Sequence, residues 1–281
     1  LKVVSSKGVK SLNTRKKNII NVDELNAYKV AYGKPLKARD YLYYVGMPSL
    51  IFGGFSFILL YYWWFSLIMI VAGSIYGFKF FLPKSIEKHY EMQSFSERNK
   101  FINNMTQVLT DESKTVIRAL STVNSRAEGE LRKDLTVLQA RLQGADNHQI
   151  QLAFKSLADK YEDDIIFVQY LEQLETAMLE GRANIDTLKD VKSYHNDMKK
   201  KKNEYEFKKQ GHLKDMKMLC GVVVVFILAI SFSFGFSIYV NDFAHHPIGW
   251  VTCGIYISLM AHFFKKFSTY LFDESILEVE V

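Results

Sequence analysis

The chain has 281 residues, 48% of them hydrophobic and 23% charged, with a formal net charge of +6, and its mean hydropathy is −0.04. The charge is uneven: residues 1–40 carry ten basic side chains against Asp23, Glu24 and Asp40, whereas residues 83–217 carry 23 basic and 22 acidic. The middle of the chain therefore lacks the basic excess of a nucleic-acid-binding domain and suits protein partners.

In chain order, residues 1–40 form a basic segment, suited to an anionic lipid surface or to a solvated tail that sets orientation. From Tyr41 to Phe78 there is no Asp, Glu, Lys or Arg. A single helix of that length would measure about 57 Å, nearly twice the ~30 Å hydrocarbon core. The run is therefore cut at Tyr61-Tyr62-Trp63-Trp64, whose amphipathic rings favour the headgroup level, giving a first transmembrane hairpin over 41–82.

Residues 83–217 repeat apolar positions at intervals of three and four. Phe101, Met105 and Val108 make one stripe; Val116, Leu120 and Val123 a second; Leu131, Leu135, Leu138 and Leu142 a third. Ile150, Phe154 and Leu157 make a fourth, and Phe167, Leu171, Leu174 and Met178 a fifth. Each is the signature of one helical face on a core. Thr110 to Ser113 separates the first two. Gly144 and Gly181 suit helix C-termini, while Asn147, Asp163 and Asn184 suit N-caps. After Asn184 no breaker precedes Gly211, so the last helix is expected to continue into a third span, Met218 to Val240. The polar break Asn241-Asp242 and a fourth span, Ile248 to Phe264, complete a second hairpin over 218–264, followed by a tail, 265–281.

Four spans put residues 1–40, 79–217 and 265–281 on one side of the membrane, and these contain all 36 Lys and Arg residues. The positive-inside rule then places both termini and the helical domain in the cytoplasm. The expected fold class is an all-α membrane protein with two transmembrane helical hairpins flanking a cytoplasmic antiparallel helical bundle. Cys220 and Cys253 fall at opposite depths and cannot pair.

No GxxxxGK[ST] loop, GxGxxG turn, HExxH helix or CxxC pair occurs, so the common nucleotide, dinucleotide and metal signatures are absent. His245, His246 and Asp242 are the only compact group of ligand-type side chains, and two histidines fall short of the ligand set of a catalytic zinc. Apart from Lys79 near one end, the spans hold no ionisable Asp, Glu, Lys or Arg of the kind a transport pathway uses. The expectation is a protein that is not an enzyme, with no cofactor, no metal and no catalytic residues. Pro48, Gly53 and Gly54, with Gly73 and Gly77, suit either close helix approach or kinking, or ordinary membrane-helix composition.

Over residues 98–264 the order of motifs resembles a known family. Phe101 to Leu109 precedes the polar turn Thr110-Asp111-Glu112-Ser113 and the small-residue helix Val116-Ile117-Arg118-Ala119-Leu120. Leu138 to Gly144 precedes Ile150 to Leu157, and Ala177 to Gly181 precedes Asn184 and Leu188. This resembles the type II secretion F-domain family, in particular the single-domain inner-membrane platform proteins of Tad-type and type IV pilus assembly. The first turn departs from the family pattern, having no glycine, and a single glycine precedes the last helix.

The resemblance implies a multi-pass protein of the bacterial cytoplasmic membrane that couples a cytoplasmic assembly or secretion ATPase to movement of pilin or pseudopilin subunits. It further implies a homo-oligomer or a pairing with a paralogous platform protein, embedded in the lipid bilayer and binding no nucleic acid. Asp111, Glu112, Arg118, Glu180 and Arg182 are the residues assigned to ATPase contact. A membrane sensor or signalling scaffold would need the same long helix and is the competing expectation.

Overall fold

The computed structural model describes residues 22–33, 35–111 and 113–272. Glu112, residues 1–21 of the basic segment and residues 273–281 of the tail lie outside the described residues. Among the described residues every regular element is helical and there is no strand. Four helices are long and apolar enough to cross a membrane: Ala38–Leu60, Trp63–Leu109, Ile185–Ser233 and Pro247–Phe272. The described residues divide into two compact units, one holding the amino-terminal helix with residues 89–202 and the other residues 36–88 with 203–272.

The first unit starts with α1 (Val22–Ala31). It continues with the outer part of α5 (Leu82–Leu109), then α6 (Val116–Asn124), α7 (Gly129–Leu142), α8 (Asn147–Ala158), α9 (Ile165–Glu180) and the first part of α10 (Ile185–Ser233). α2, α3 and α4 belong to the other unit and are given below. The expected stripes converge on one apolar core, in which Phe101, Met105, Leu120, Leu131, Leu135, Phe154, Phe167, Leu171 and Leu174 are buried, with Val108 and Met178 at its margin. Polar residues at the intervening positions leave one face of each helix in water, so burial of the other face supplies the main driving force.

The helix ends differ in detail from the expected caps. Gly144 and Gly181 adopt left-handed backbone, φ 71° and 76°. Asn184 accepts from the Thr187 amide. The caps of α8 and α9, however, are Asp146 and Asp164 rather than Asn147 and Asp163. Asp146 accepts from the Gln149 amide at 2.7 Å while Gln149 reaches back to the Asp146 amide. Asp164 accepts from the Phe167 amide at 3.1 Å. A cap needs non-helical backbone immediately before the first turn, and Asn147 already lies inside it.

α1 packs on this unit through aromatic rings: Tyr28 lies 4.8 Å and Tyr32 5.5 Å from the Tyr90 ring. Its end rests on Gly129, where a Cβ would come within 2.4 Å of the Tyr32 ring and 2.6 Å of the Ala31 carbonyl. With φ +65°, Gly129 combines left-handed backbone with an approach no side chain allows.

The second unit contains α2 (Ala38–Tyr41), α3 (Met47–Leu60), α4 (Trp63–Tyr76), the inner end of α5 and the apolar part of α10. It is completed by α11 (Phe236–Ile238) and α12 (Pro247–Phe272). α3 stops at Leu60 because Tyr61 turns left-handed, φ 53°. α4 starts two residues later. The two helices approach closely: a Cβ on Gly73 would lie 2.8 Å from Ser49 Cα, and one on Gly77 2.8 Å from the Tyr44 carbonyl. Ser49 and Ser74 hydroxyls meet at 2.8 Å, and Ser66 donates to the Gly53 carbonyl at 2.7 Å. Gly54, by contrast, faces open space.

α10 passes straight through Gly211, which does not break it, and ends at Ser233, short of the expected Val240. The stop is Gly235, φ 88°, a conformation that a helix cannot continue through. Residues 236–244 recoil into short helical turns before α12. Tyr239 Oη donates to the Leu59 carbonyl at 3.0 Å, and Phe55 stacks on Tyr256, tying this segment and α12 to α3.

Candidate functional site

The residues assigned to partner contact are scattered over exposed ends of helices. Asp111 closes the turn after α5, and its Oδ1 accepts from the Ser113 hydroxyl at 2.6 Å and the Ser113 amide at 3.1 Å. Those two bonds, the hydroxyl first, hold its carboxyl below the usual range. Arg118 is exposed on the first turn of α6, behind the Thr115 cap. Glu180 and Arg182 are exposed on either side of Gly181. Among the described residues no hydrogen bond or ion pair joins any of Asp111, Arg118, Glu180 and Arg182, and Glu112 lies outside them.

In the second unit, the His245 ring stacks on Tyr62 at 4.1 Å and its Nε2 is buried without a hydrogen-bond partner. His246 Nδ1 accepts from the Ile248 amide at 3.5 Å, and Asp242 is exposed. Among the described residues no three His, Cys, Asp or Glu side chains gather closely enough to hold a metal ion.

The densest polar chemistry is a cluster that sequence reasoning missed. Asp164 lies where α9 begins, facing α5 and α10. While its Oδ1 caps α9, its Oδ2 accepts from Arg98 Nε of α5 at 2.6 Å and lies 3.4 Å from His195 Nε2 of α10. Arg98 also donates to Ser94 at 2.6 Å. Its guanidinium sits 5.7 Å from the Phe95 ring centroid and 5.4 Å from that of Tyr161. Phe95 in turn stacks on His195 at 4.6 Å. His195 is 0% exposed. Burial alone would raise the Asp164 carboxyl, but the hydrogen bond from His195 and the charge of Arg98 outweigh it and hold the pKa at about 2.

A second, half-buried group lies under α1. Lys160 contacts Glu130 and Asp134 at 2.6 Å each, Tyr161 donates to Asp134 at 2.7 Å, and Tyr90 donates to Glu130. Burial pushes the Tyr161 hydroxyl far up, and the adjacent Asp134 charge adds to it. For Lys160, burial would depress the ammonium, yet hydrogen bonds to Asp134 and Glu130 leave it raised.

In both clusters the charges are paired across helices, so the arrangement can clamp helices together. The one sequence signal was available on α10: Leu188, His195 and Lys202 recur at sevens, which puts a histidine on the stripe that faces a partner. All three are buried.

No family model matches the chain, and no solved structure matches it. A Bacillus anthracis protein bearing the name uncharacterized protein pXO2-23 is 59% identical over 267 residues, which is 95% of this chain and 96% of that one. Identity at that level, sustained over almost the full length of both, means that the chain belongs to the family of the Bacillus anthracis protein pXO2-23.

Proposed function

We propose that this protein is a membrane platform of a pilus-assembly or secretion machine, which couples a cytoplasmic assembly ATPase to movement of pilin-like subunits. It has two transmembrane hairpins flanking an antiparallel helical bundle, with the bundle and both termini on the cytoplasmic side of a bacterial cytoplasmic membrane. The observation that carries this reading is α10. It is 49 residues without a break, with Leu188 in the apolar core of one unit and a candidate span toward its other end. A span uses about 20 residues, so roughly 30 more, or about 45 Å of helix, stand outside the bilayer. An unbroken helix transmits displacement along its axis, which a flexible linker would absorb.

Three features support the reading. All 36 basic residues fall on one side of a four-span topology. Residues 83–217 are charge-balanced, without the basic excess of a nucleic-acid-binding domain. The order of turns and helices over residues 98–264 resembles platform proteins, and this resemblance alone supplies the pilus or secretion assignment.

The test is crosslinking through residues 83–217 in cells, followed by purification of the full chain in detergent. An assembly ATPase in the crosslinked complex, lost when Arg118 and Arg182 are reversed to Glu, is the expected result. If no ATPase is captured while the chain remains folded and in the membrane, the platform reading fails and a signalling scaffold built on the same helix replaces it.

A further inference from the structure

Between α5 and α10, beside the Asp164 cluster, runs a ladder of amides whose direction can be worked out from its ends. Asn103 Nδ2 donates to the Asn99 backbone carbonyl at 2.8 Å. That oxygen only accepts, so Asn103 presents Oδ1 to α10 and takes the Asn196 Nδ2 amide at 3.1 Å. Asn196 Oδ1 then accepts from Asn99 Nδ2 and Asn103 Nδ2, both at 2.8 Å. At the other end Lys199 Nζ, which only donates, sits 3.1 Å from Asn99 Oδ1. Asn99 must therefore turn its Nδ2 toward His195 Nδ1, 3.0 Å away, and that ring nitrogen must accept. The His195 proton is left on Nε2, facing Asp164 Oδ2.

We propose that Asn99, Asn103, Asn196 and His195 form a register lock: positioning residues that hold α10 at one axial level against α5. Apolar contacts between two helices are non-directional and tolerate slippage. Directional donors and acceptors match at one alignment only, which is how a buried asparagine specifies register in a coiled coil. Sliding α10 by one turn, about 5.4 Å, carries Asn196 from the Asn99–Asn103 pair to the Asn103–Gln107 pair. Asn99 and His195, 4% and 0% exposed, would then lose their partners. Gln107, exposed one turn beyond Asn103, offers a replacement amide at the slipped level. The lock stands on this geometry whether or not an ATPase binds the protein.

The experiment uses the full chain in lipid nanodiscs, with Cys220 and Cys253 replaced by Ser and spin labels on Gln93→Cys and Lys201→Cys. Both labelled positions are exposed in the same unit. An intact ladder gives one narrow inter-label distance. Asn196→Leu, with helix content unchanged, is expected to add a second population displaced by about 5 Å. A single unshifted distance in that variant overturns the lock. Should Asn196→Leu not fold, Asn103→Leu removes two of the three Asn196 bonds from the α5 side and is read in the same way. A second readout is nitrogen NMR of His195 in the otherwise unaltered protein. A ring protonated on Nε2 alone supports the ladder, and one protonated on Nδ1 overturns it. Neither measurement involves an ATPase, so failure of the lock and failure of the platform reading are distinguishable.

Discussion

Asp164 shows how much one side chain does when three helices meet on it. It caps α9, neutralises Arg98 and accepts from His195, and only the first of these roles has a local signal. The sequence points to an acidic cap at this corner but favours Asp163, one residue early, because nothing in the linear pattern says which carboxylate faces α5. With its carboxyl held at about 2 against an ordinary 3.8, Asp164 contributes about 2 kcal/mol of stability. That contribution is complete above about pH 4 and is lost as the pH falls through about 2. Acid unfolding followed by circular dichroism should show this loss in the native chain, and Asp164→Asn, which keeps the cap, should flatten the curve over the same window. Asp164→Ala loses the cap as well and leaves Arg98 buried without its carboxylate. The expected cost is about 3 kcal/mol or more, read as a lower melting temperature, and a change below about 1 kcal/mol would show that Arg98 finds another partner.

At the level of elements, the apolar periodicity of α5 to α9 was legible because each helix carries its own stripe, and the stripes converge on one core. Helix ends were less so. The expected continuation of α10 past Gly211 holds, since glycine costs an interior helix only about 1 kcal/mol and the flanking turns carry it. Gly211 faces open space, so Gly211→Ala should raise thermal stability by roughly 0.5–1 kcal/mol. Gly235 was overlooked although its positive φ ends α10. For the α3–α4 pair, close approach and ordinary composition are both represented among the glycines. Gly73 and Gly77 are sites of backbone contact, and Gly54 is ordinary membrane-helix composition. Gly73→Val is expected to push the two helices apart and cost about 1–3 kcal/mol, seen as faster thermal inactivation in detergent, while Gly54→Val leaves the rate unchanged. Equal effects at both positions would mean that the close approach does not matter.

For the whole molecule, the proposed topology makes a direct prediction. A cysteine at Ser237 should react with a membrane-impermeant maleimide in intact cells, and one at Lys201 only after lysis, in a background lacking Cys220 and Cys253; the reverse pattern would invert the orientation. α1 offers another test. Its seat at Gly129 admits no side chain, so Gly129→Val should release Tyr28 and Tyr32 from Tyr90 and make residues 22–31 sensitive to protease while residues 89–202 stay resistant. The sequence by itself determined the helical class, the four apolar segments and the core stripes, because hydrophobic periodicity and span length are local properties written every three or four residues. It left open whether residues 1–40 pack on the helical domain, and the rings of Tyr28, Tyr32 and Tyr90 answer that for residues 22–33. Of the polar clusters it gave only one sign, the sevenfold spacing of Leu188, His195 and Lys202. Asn99 and His195 lie 96 residues apart in the chain, and His195 sits in a lysine-rich stretch that reads as solvated surface. Only the tertiary structure supplied the opposing helix that buries it, since a polar group's partner is a matter of position in space and not of neighbours along the chain.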